Sequence, residues 1–302
     1  MMPPSQQAGA RVTVVTVSYN SASVLPGLLE SVPAGVATIV VDNGGSDATA
    51  EIAARNGARL VRLDSNHGFG RGCNAGAELA ETEFLFFVNP DARLAPGCIE
   101  ALVAFMDSHP DVPAANPRIV KPGGRTEFKR RSILVPRREW LRHGPPESEA
   151  PVIVLLGGAI FVRRSAHEAI GGFDPAIFLY HEDDDLSVRL RRECGPVWFV
   201  PDAEVHHMAG HSSGRSPDVA AFKGYHMARS RIHALTKHGR PMPWLRTFAN
   251  AVSGLLMPHN LLSPRRRAKH LGQLRGAWSA REDAGAFRAP LPPDGMSARD
   301  RE

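Results

Sequence analysis

The sequence predicts an α/β fold whose N-terminal half is a Rossmann-like, nucleotide-binding sheet, and three observations carry that prediction. The runs RVTVVTVS (11–18), ATIVVDN (37–43) and EFLFFVN (83–89) are largely apolar and rich in β-branched or aromatic residues, as strands covered on both faces of a parallel sheet must be. Stretches with helical spacing separate them, giving βαβ order. Each run also ends in polar residues, Ser18-Tyr19-Asn20, Asp42-Asn43 and Asn89-Pro90-Asp91, at the strand ends where open α/β sheets collect ligands.

The strand at 11–18 leads to a helix over 22–32. The second strand is followed by a helix over 47–56, begun at Ser46 or Asp47, side chains that cap a helix N-terminus well. ARLVRL (58–63) is a third strand. A glycine-rich loop (67–72) precedes a helix through Asn74 to Ala80, then comes the strand at 83–89 and a helix over 96–108. Residues 121–151, rich in Pro, Gly and Arg with weak periodicity, predict a partly mobile excursion over the active face. VIVLLGGAIFVRRSAHEAIGGF (152–173) reads as a strand pair and a short helix, EDDDLSVRLRREC (182–194) as an amphipathic helix, and GPVWFVPDAEV (195–205) as a strand ending in histidines. Beyond Pro217 the chain is helical and increasingly basic. Residues 1–10 and 291–302 are expected to be disordered, leaving one domain over 11–240 and a basic amphipathic helical extension over 241–290.

Composition excludes several classes. With 302 residues and 43% hydrophobic content, the chain needs no staples to bury a core. Cys73, Cys98 and Cys194 stand far apart without C-x-x-C spacing, which argues against a disulfide framework or a cysteine zinc site and for a reducing, cytoplasmic compartment. No apolar run reaches the about 18 residues of a membrane span, and MMPPSQQAGAR lacks a secretory apolar core. The chain is expected to be soluble or peripheral. Its net charge of +5 is mild, but from position 241 onward ten Lys/Arg face five Asp/Glu.

Five features could carry chemistry. The polar ends of the first two strands suit a base and ribose, although turns and caps use the same residues. NHGFGRGCNAG (66–76) lets backbone amides approach a phosphate. It fails the dinucleotide fingerprint, since the sixth position from Gly68 is Cys73, and it follows the third strand. Asp91 stands where a hard divalent cation would bridge phosphate oxygens, or serves as a plain turn residue. Tyr180-His181-Glu182-Asp183-Asp184-Asp185 packs four carboxylates at a helix start, more than capping needs, and their mutual repulsion raises the pKa of a member, as a general base requires. His206, His207 and His211 follow a strand, where neutral imidazoles ligate metals.

In this order, VSYN (17–20), VVDNGGSD (40–47), NHGFGRGCNAG (66–76), VNPDA (88–92), GGAIFVRRSA (157–166), IGGFD (170–174), FLYHEDDDLSVRLR (178–191) and AEVHHMAGHSSG (203–214) resemble the motifs of inverting family 2 glycosyltransferases. The likeness is greatest to rhamnosyltransferase-like bacterial members that build cell-surface polysaccharide. It implies a GT-A fold with a mixed central sheet and a C-terminal helical extension. It further implies Ser18, Tyr19, Asn20 and Asp42 around the nucleoside of a dTDP- or UDP-sugar, with Gly68, Gly70, Asn74 and Asn89 near its diphosphate or sugar. Asp91 would hold the last place of a metal-binding D-x-D motif whose first place is Asn89. His207, through an H-x-x-G-x-S pattern with Gly210 and Ser212, would be the further ligand of Mg²⁺ or Mn²⁺, with His206 as the alternative. Asp183 would be the general base, and Glu182 or Asp185 would position a sugar. The implied reaction moves a sugar, L-rhamnose from dTDP-rhamnose as the best match, to a saccharide or polyprenyl-linked saccharide with inversion.

Rival readings are weaker. A nucleotidyltransferase would carry a glycine-rich basic loop where SYNSASVLPG stands. A catalytically silent nucleotide-sugar or polysaccharide binding protein is the alternative that sequence leaves open. The basic extension, with Arg265, Arg266, Arg267 and Lys269, suits an anionic membrane surface, at the cytoplasmic face of the inner membrane, or a solvated helix covering the domain. Its aromatics, Trp244, Phe248 and Trp278, are not interleaved for nucleic acid.

Overall fold

The computed structural model describes residues 4–207 and 216–283. In chain order it contains α1 (Pro4–Gly9), β1 (Val12–Ser18), α2 (Leu25–Leu29), β2 (Ala37–Asp42), α3 (Thr49–Arg55), β3 (Arg59–Arg62), α4 (Phe69–Ala77), β4 (Phe84–Val88), β5 (Ala92–Leu94) and α5 (Cys98–Ser108). There follow β6 (Ala114–Val120), β7 (Thr126–Glu127), β8 (Ala150–Val152), β9 (Ala159–Arg163), α6 (Arg164–Ala169), α7 (Glu182–Glu193), β10 (Val197–His207), α8 (Pro217–Lys237), α9 (Pro243–Leu256), α10 (Pro258–Leu261) and α11 (Pro264–Asp283).

All the strands join one mixed sheet in the order β3-β2-β1-β4-β9-β6-β10-β5, with β7 on β6 and β8 on β10. The β3-β2-β1-β4 half is parallel, and register sets Ser18 beside Asp42 and Asp42 beside Arg62. The polar strand ends therefore share one edge. β9 runs antiparallel between β4 and β6, and the turn before it meets the end of β4, where Asn89 N–H donates to the Gly158 carbonyl over 3.0 Å. β10 is antiparallel to β5 with His207 opposite Ala92, which carries His207 to Asp91.

Period-two alternation explains the two cores. On β4, Phe84 and Phe86 pack with Phe161 and α5, whereas Leu85 and Phe87 face Phe173 and the Leu186 and Leu190 side of α7. Among the described residues no helix is long and apolar enough to cross a membrane. The C-terminal helices are built on glycines. A Cβ at Gly272 would strike the Ala221 carbonyl, and one at Gly276 the Tyr225 carbonyl, so α11 lies directly against α8.

Several elements differ from expectation. Residues 4–9 are helical because Ala8 and buried Gly9 seat against the core beside Val36. α4 starts at Phe69, inside the expected loop, because Gly68 takes φ +89° as its N-cap. The strands at 150–163 do not pair with each other; β8 borders β10 and β9 fills the gap between β4 and β6. The 121–151 excursion is anchored: Leu134 and Val135 are buried, Leu134 beside Ile177 and Leu235 and Val135 beside Ile153 and Val154, and Trp140 Nε1 donates to the Ser132 carbonyl over 3.0 Å. The 284–302 segment, and with it the expected tail at 291–302, lies outside the described residues.

Candidate active site

A cavity of about 740 Å³ opens at the shared strand edge, lined among others by Tyr19, Asn20, Asn43, Gly68, Asn89 and Glu182. A second hollow of about 670 Å³ lies over the end of β2, along Asp42, Gly45, Asp47, Arg62 and Asp64. Asp42 is buried, accepts from the Gly45 N–H over 2.9 Å and pairs with Arg62 at 3.3 Å. Asn20 adopts φ +53° and its Oδ1 accepts from the Ser46 N–H over 3.0 Å, clamping the first polar turn to the second. Tyr19 is left 45% exposed beside the cavity, free to stack. Ser18 does not reach either hollow. It is fully buried and its hydroxyl bonds Thr49 Oγ1 at 2.8 Å, since a residue at the buried end of β1 faces α3.

The glycine segment serves the site mostly by packing. Gly68 lines the cavity, and its carbonyl accepts from Asn43 Nδ2 at 3.2 Å. Gly70 instead meets the Phe173 side chain, where a Cβ would stand 2.9 Å from Phe173 Cβ. Asn74 spends both ends of its amide on the Phe173 backbone, at 2.8 and 2.9 Å. Gly70 and Asn74 therefore fix the 170–174 turn and do not face the cavity. Asn43, expected only as part of the polar end of β2, orders the loop through Asn66, His67 and Gly68.

Asp91 and His207 come together as expected, with Asp91 Oδ1 3.2 Å from His207 Nε2. The other ring nitrogen lies 3.1 Å from Glu127 Oε2, and Glu127 is paired with Lys121. Burial opposes charge on His207, but hydrogen bonds to Asp91 and Glu127 outweigh it and lift its pKa to about 9. Among the described residues no group of three His, Cys, Asp or Glu side chains is arranged to hold a metal ion. Asp91 and His207 nonetheless fit a divalent cation in donor chemistry once the cation takes the place of the ring proton that faces Asp91: a carboxylate oxygen then stands beside a bare imidazole nitrogen, and a second carboxylate orients the far side of the ring. His206 points elsewhere, pairing with Glu204 at 3.0 Å. His211, Gly210 and Ser212 lie outside the described residues.

The acidic helix start divides its labour. Asp183 Oδ2 accepts from the Gly157 N–H and from Lys129 Nζ, both at 3.0 Å, and its Oδ1 accepts from the Asp184 N–H at 2.9 Å. Lys129 also pairs with Asp184 at 3.0 Å. Burial disfavours the Lys129 charge, yet the two carboxylates raise its pKa overall. Glu182 lines the cavity with its Oε2 buried and without a hydrogen-bond partner. Burial, then the Asp183 charge, push its pKa up to about 8. Asp185 does not reach the cavity. Fully buried, it pairs with Arg189, Lys237 and His238 at 2.7, 2.9 and 2.8 Å and ties α7 to the end of α8.

Residues 13–171 match the family described as glycosyl transferase family 2. The chain belongs to that family. This glycosyltransferase is 30% identical over 295 residues to the N-acetylglucosaminyl-diphospho-decaprenol L-rhamnosyltransferase of Mycobacterium tuberculosis, covering 85% of this chain and 95% of that protein. It shares the GT-A fold with S. aureus TarS, at a TM-score of 0.55 and 17% identity over 91% of this chain and 92% of that one. It also aligns with the mannosyltransferase PcManGT of Pyrobaculum calidifontis, solved with GDP-Man and Mn2+, at 0.54 and 15% identity over 93% and 76% of the two chains. As a member of the inverting family 2, the glycosyltransferase moves a sugar from an activated donor.

Several features of the glycosyltransferase's site escape sequence reasoning, among them one cation, one backbone conformation and one wall of the cavity. Lys129 is one base among the run KRR, with nothing local to mark it. Tyr180 and His181 take φ +66° and +70°, two consecutive left-handed residues without glycine, which turn the chain into α7 beside the cavity. Phe222 and Lys223 of α8 close one side of that cavity.

Proposed function

We propose that this glycosyltransferase transfers L-rhamnose from dTDP-rhamnose to a polyprenyl-diphosphate-linked saccharide during cell-surface polysaccharide synthesis, in the cytoplasm. The observation that carries the reading is the 30% identity over 85% of the chain to a rhamnosyltransferase named for a decaprenol-linked acceptor. The free thiols of Cys73, Cys98 and Cys194 agree with a reducing compartment.

In this reading Tyr19, Asn20 and Asp42 receive the nucleoside, and Asn43, Gly68 and Asn89 hold the loop and backbone against the rest of the donor. Asp183 is the general base, its Oδ2 fixed between the Gly157 N–H and Lys129 so that it can take the proton of an acceptor hydroxyl. Glu182, carrying a proton at neutral pH, donates a hydrogen bond to the sugar from the cavity wall. Asp91 and His207 would hold Mg²⁺ or Mn²⁺, which supplies positive charge to the leaving diphosphate. Attack from the face opposite the diphosphate inverts the anomeric carbon in one displacement, and no covalent enzyme nucleophile takes part.

The test is nucleoside diphosphate release from dTDP-, UDP- and GDP-sugars, with a polyprenyl-linked acceptor, with and without Mn²⁺, for the wild type and Asp183→Asn. Metal-dependent release from dTDP-rhamnose, lost in Asp183→Asn while donor binding persists, is the expected result. Release from a UDP-sugar alone would overturn the donor, and binding of a donor without transfer to any acceptor would overturn the activity.

A further inference from the structure

Of the eleven large apolar side chains exposed among the described residues, eight lie between Met242 and Trp278. Four crowd one corner, where α9 ends and α10 hands the chain to α11: Leu256 is 67% exposed, Met257 49%, Leu261 44% and Leu262 86%. The next residues of the chain are Arg265, Arg266 and Arg267, all exposed on the first turn of α11. From Pro241 to Arg281 the sequence holds seven Arg or Lys and no Asp or Glu. A solvated covering helix would interleave acidic residues and hide its leucines.

The corner is rigid. Asn260 is buried, its amide donates to the Gly254 carbonyl over 2.7 Å, and it lies 3.3 Å from His270 Nε2. Gly254 is so close to the His270 ring that a Cβ would overlap it. The four apolar side chains are therefore held outward by a fixed turn. Packing sets the start of α11 near the cavity: Gly224 of α8, next to the cavity residue Lys223, is so close to α11 that a Cβ would strike the Lys269 carbonyl, one turn after Arg265.

From this juxtaposition we infer that the α9–α11 corner docks on an anionic lipid bilayer, with Leu256, Met257, Leu261 and Leu262 entering the headgroup boundary and Arg265, Arg266 and Arg267 meeting the anionic headgroups. Four exposed apolar side chains beside a patch of one charge sign, with no acid to balance it, match the two components of peripheral binding, apolar insertion and attraction to anionic lipid. The surface is independent of which sugar is moved, but its position by the cavity would set the active site toward a membrane-borne acceptor.

The experiment is co-sedimentation of the full chain with vesicles of phosphatidylcholine alone and with vesicles of equal parts phosphatidylcholine and phosphatidylglycerol, alongside light scattering for the oligomeric state. The wild type should partition onto the mixed vesicles and not onto the neutral ones, and added salt should release it. Arg265→Gln, Arg266→Gln and Arg267→Gln together should weaken partitioning by about a hundredfold, from roughly fivefold per charge near an anionic surface. Leu261→Glu with Leu262→Glu, both on the exposed corner, should abolish it while leaving donor hydrolysis in solution unchanged. Equal partitioning of wild type and variants, equal binding to neutral vesicles, or a dimer that Leu262→Glu dissociates and that ignores vesicles would each overturn the inference, the last by making a second copy of the chain the occupant.

Discussion

Replacing Glu182 by glutamine tests the electrostatics of the site directly. Glu182 is 8% exposed, its Oε2 is buried without a partner, and burial and the Asp183 charge raise its pKa from the ordinary value of 4.5 to about 8. The folded chain thus keeps a proton that the unfolded chain releases. Below about pH 4.5 both states are protonated and the stability is complete; as pH rises it falls by about 1.4 kcal/mol per unit and levels off above about pH 8, a total on the order of 5 kcal/mol. Glutamine imitates the protonated form and has no such slope. Urea unfolding from about pH 5 to about pH 9 should give curves that lie close together at the acid end and diverge until the variant leads by several kcal/mol, roughly 10–20 °C in Tm for a chain of this size. Parallel curves across that window would refute a protonated Glu182, and with it the hydrogen bond proposed from its carboxyl to the sugar.

Lys129→Met should cost about 3–5 kcal/mol of stability, because it strands Asp183 and Asp184 without their shared cation. It should lower kcat while leaving the donor KM in place, since Lys129 is not among the residues lining the donor cavity, and steady-state kinetics at saturating acceptor reads both. Asp185→Asn should destabilise by a similar amount, about 3–5 kcal/mol, without lowering turnover per folded molecule. Burial opposes the Asp185 charge, but the hydrogen bond from His238 and the Arg189 charge hold its pKa below 3.8. Its stabilisation is present above that value and lost as pH falls through the folded one, so thermal unfolding in acid should be less pH-dependent in the variant. Gly157→Ala would place a Cβ 3.3 Å from Asp183 Cβ and 3.4 Å from its Oδ2. The displaced base should cost about 10–100-fold in kcat with little change in Tm.

The parallel half of the sheet was legible because every residue of β1 and β4 is buried, so both runs are apolar or β-branched, with Ser18 of β1 the one exception. The meeting of Asp91 with His207 followed from family motifs alone, for 116 residues separate them and only the β10–β5 register brings them together. Ser18, Gly70 and Asn74 show the limit of the method. Packing sets the Ser18 hydroxyl against Thr49, the Asn74 amide against the Phe173 backbone and Gly70 against the Phe173 side chain, and motif spacing carries no information on which way a residue faces. Asp185 could not be told apart either: four adjacent carboxylates look alike in sequence, and only packing shows that Glu182 alone of them lines the cavity while Asp185 is spent on Lys237 and His238. The 121–151 segment looked mobile because its anchors are the few residues around Ile133-Leu134-Val135, too short a run to register as periodic.

The ion cluster that joins α7 to α8 bears on how this enzyme can be cut and recombined. Asp174 meets His233 at 3.0 Å and Lys237 at 2.6 Å, while Asp185 takes the same lysine together with His238. A chimera that took its last helices from a relative would bury two carboxylates opposite whatever residues that relative carried at these places. A truncation before Lys237 would leave Asp185, two positions from the base, with Arg189 alone of its three partners. The portable unit therefore ends after His238, well past the family match at 171, and any exchange of tails must leave the 174–238 pairings within one parent.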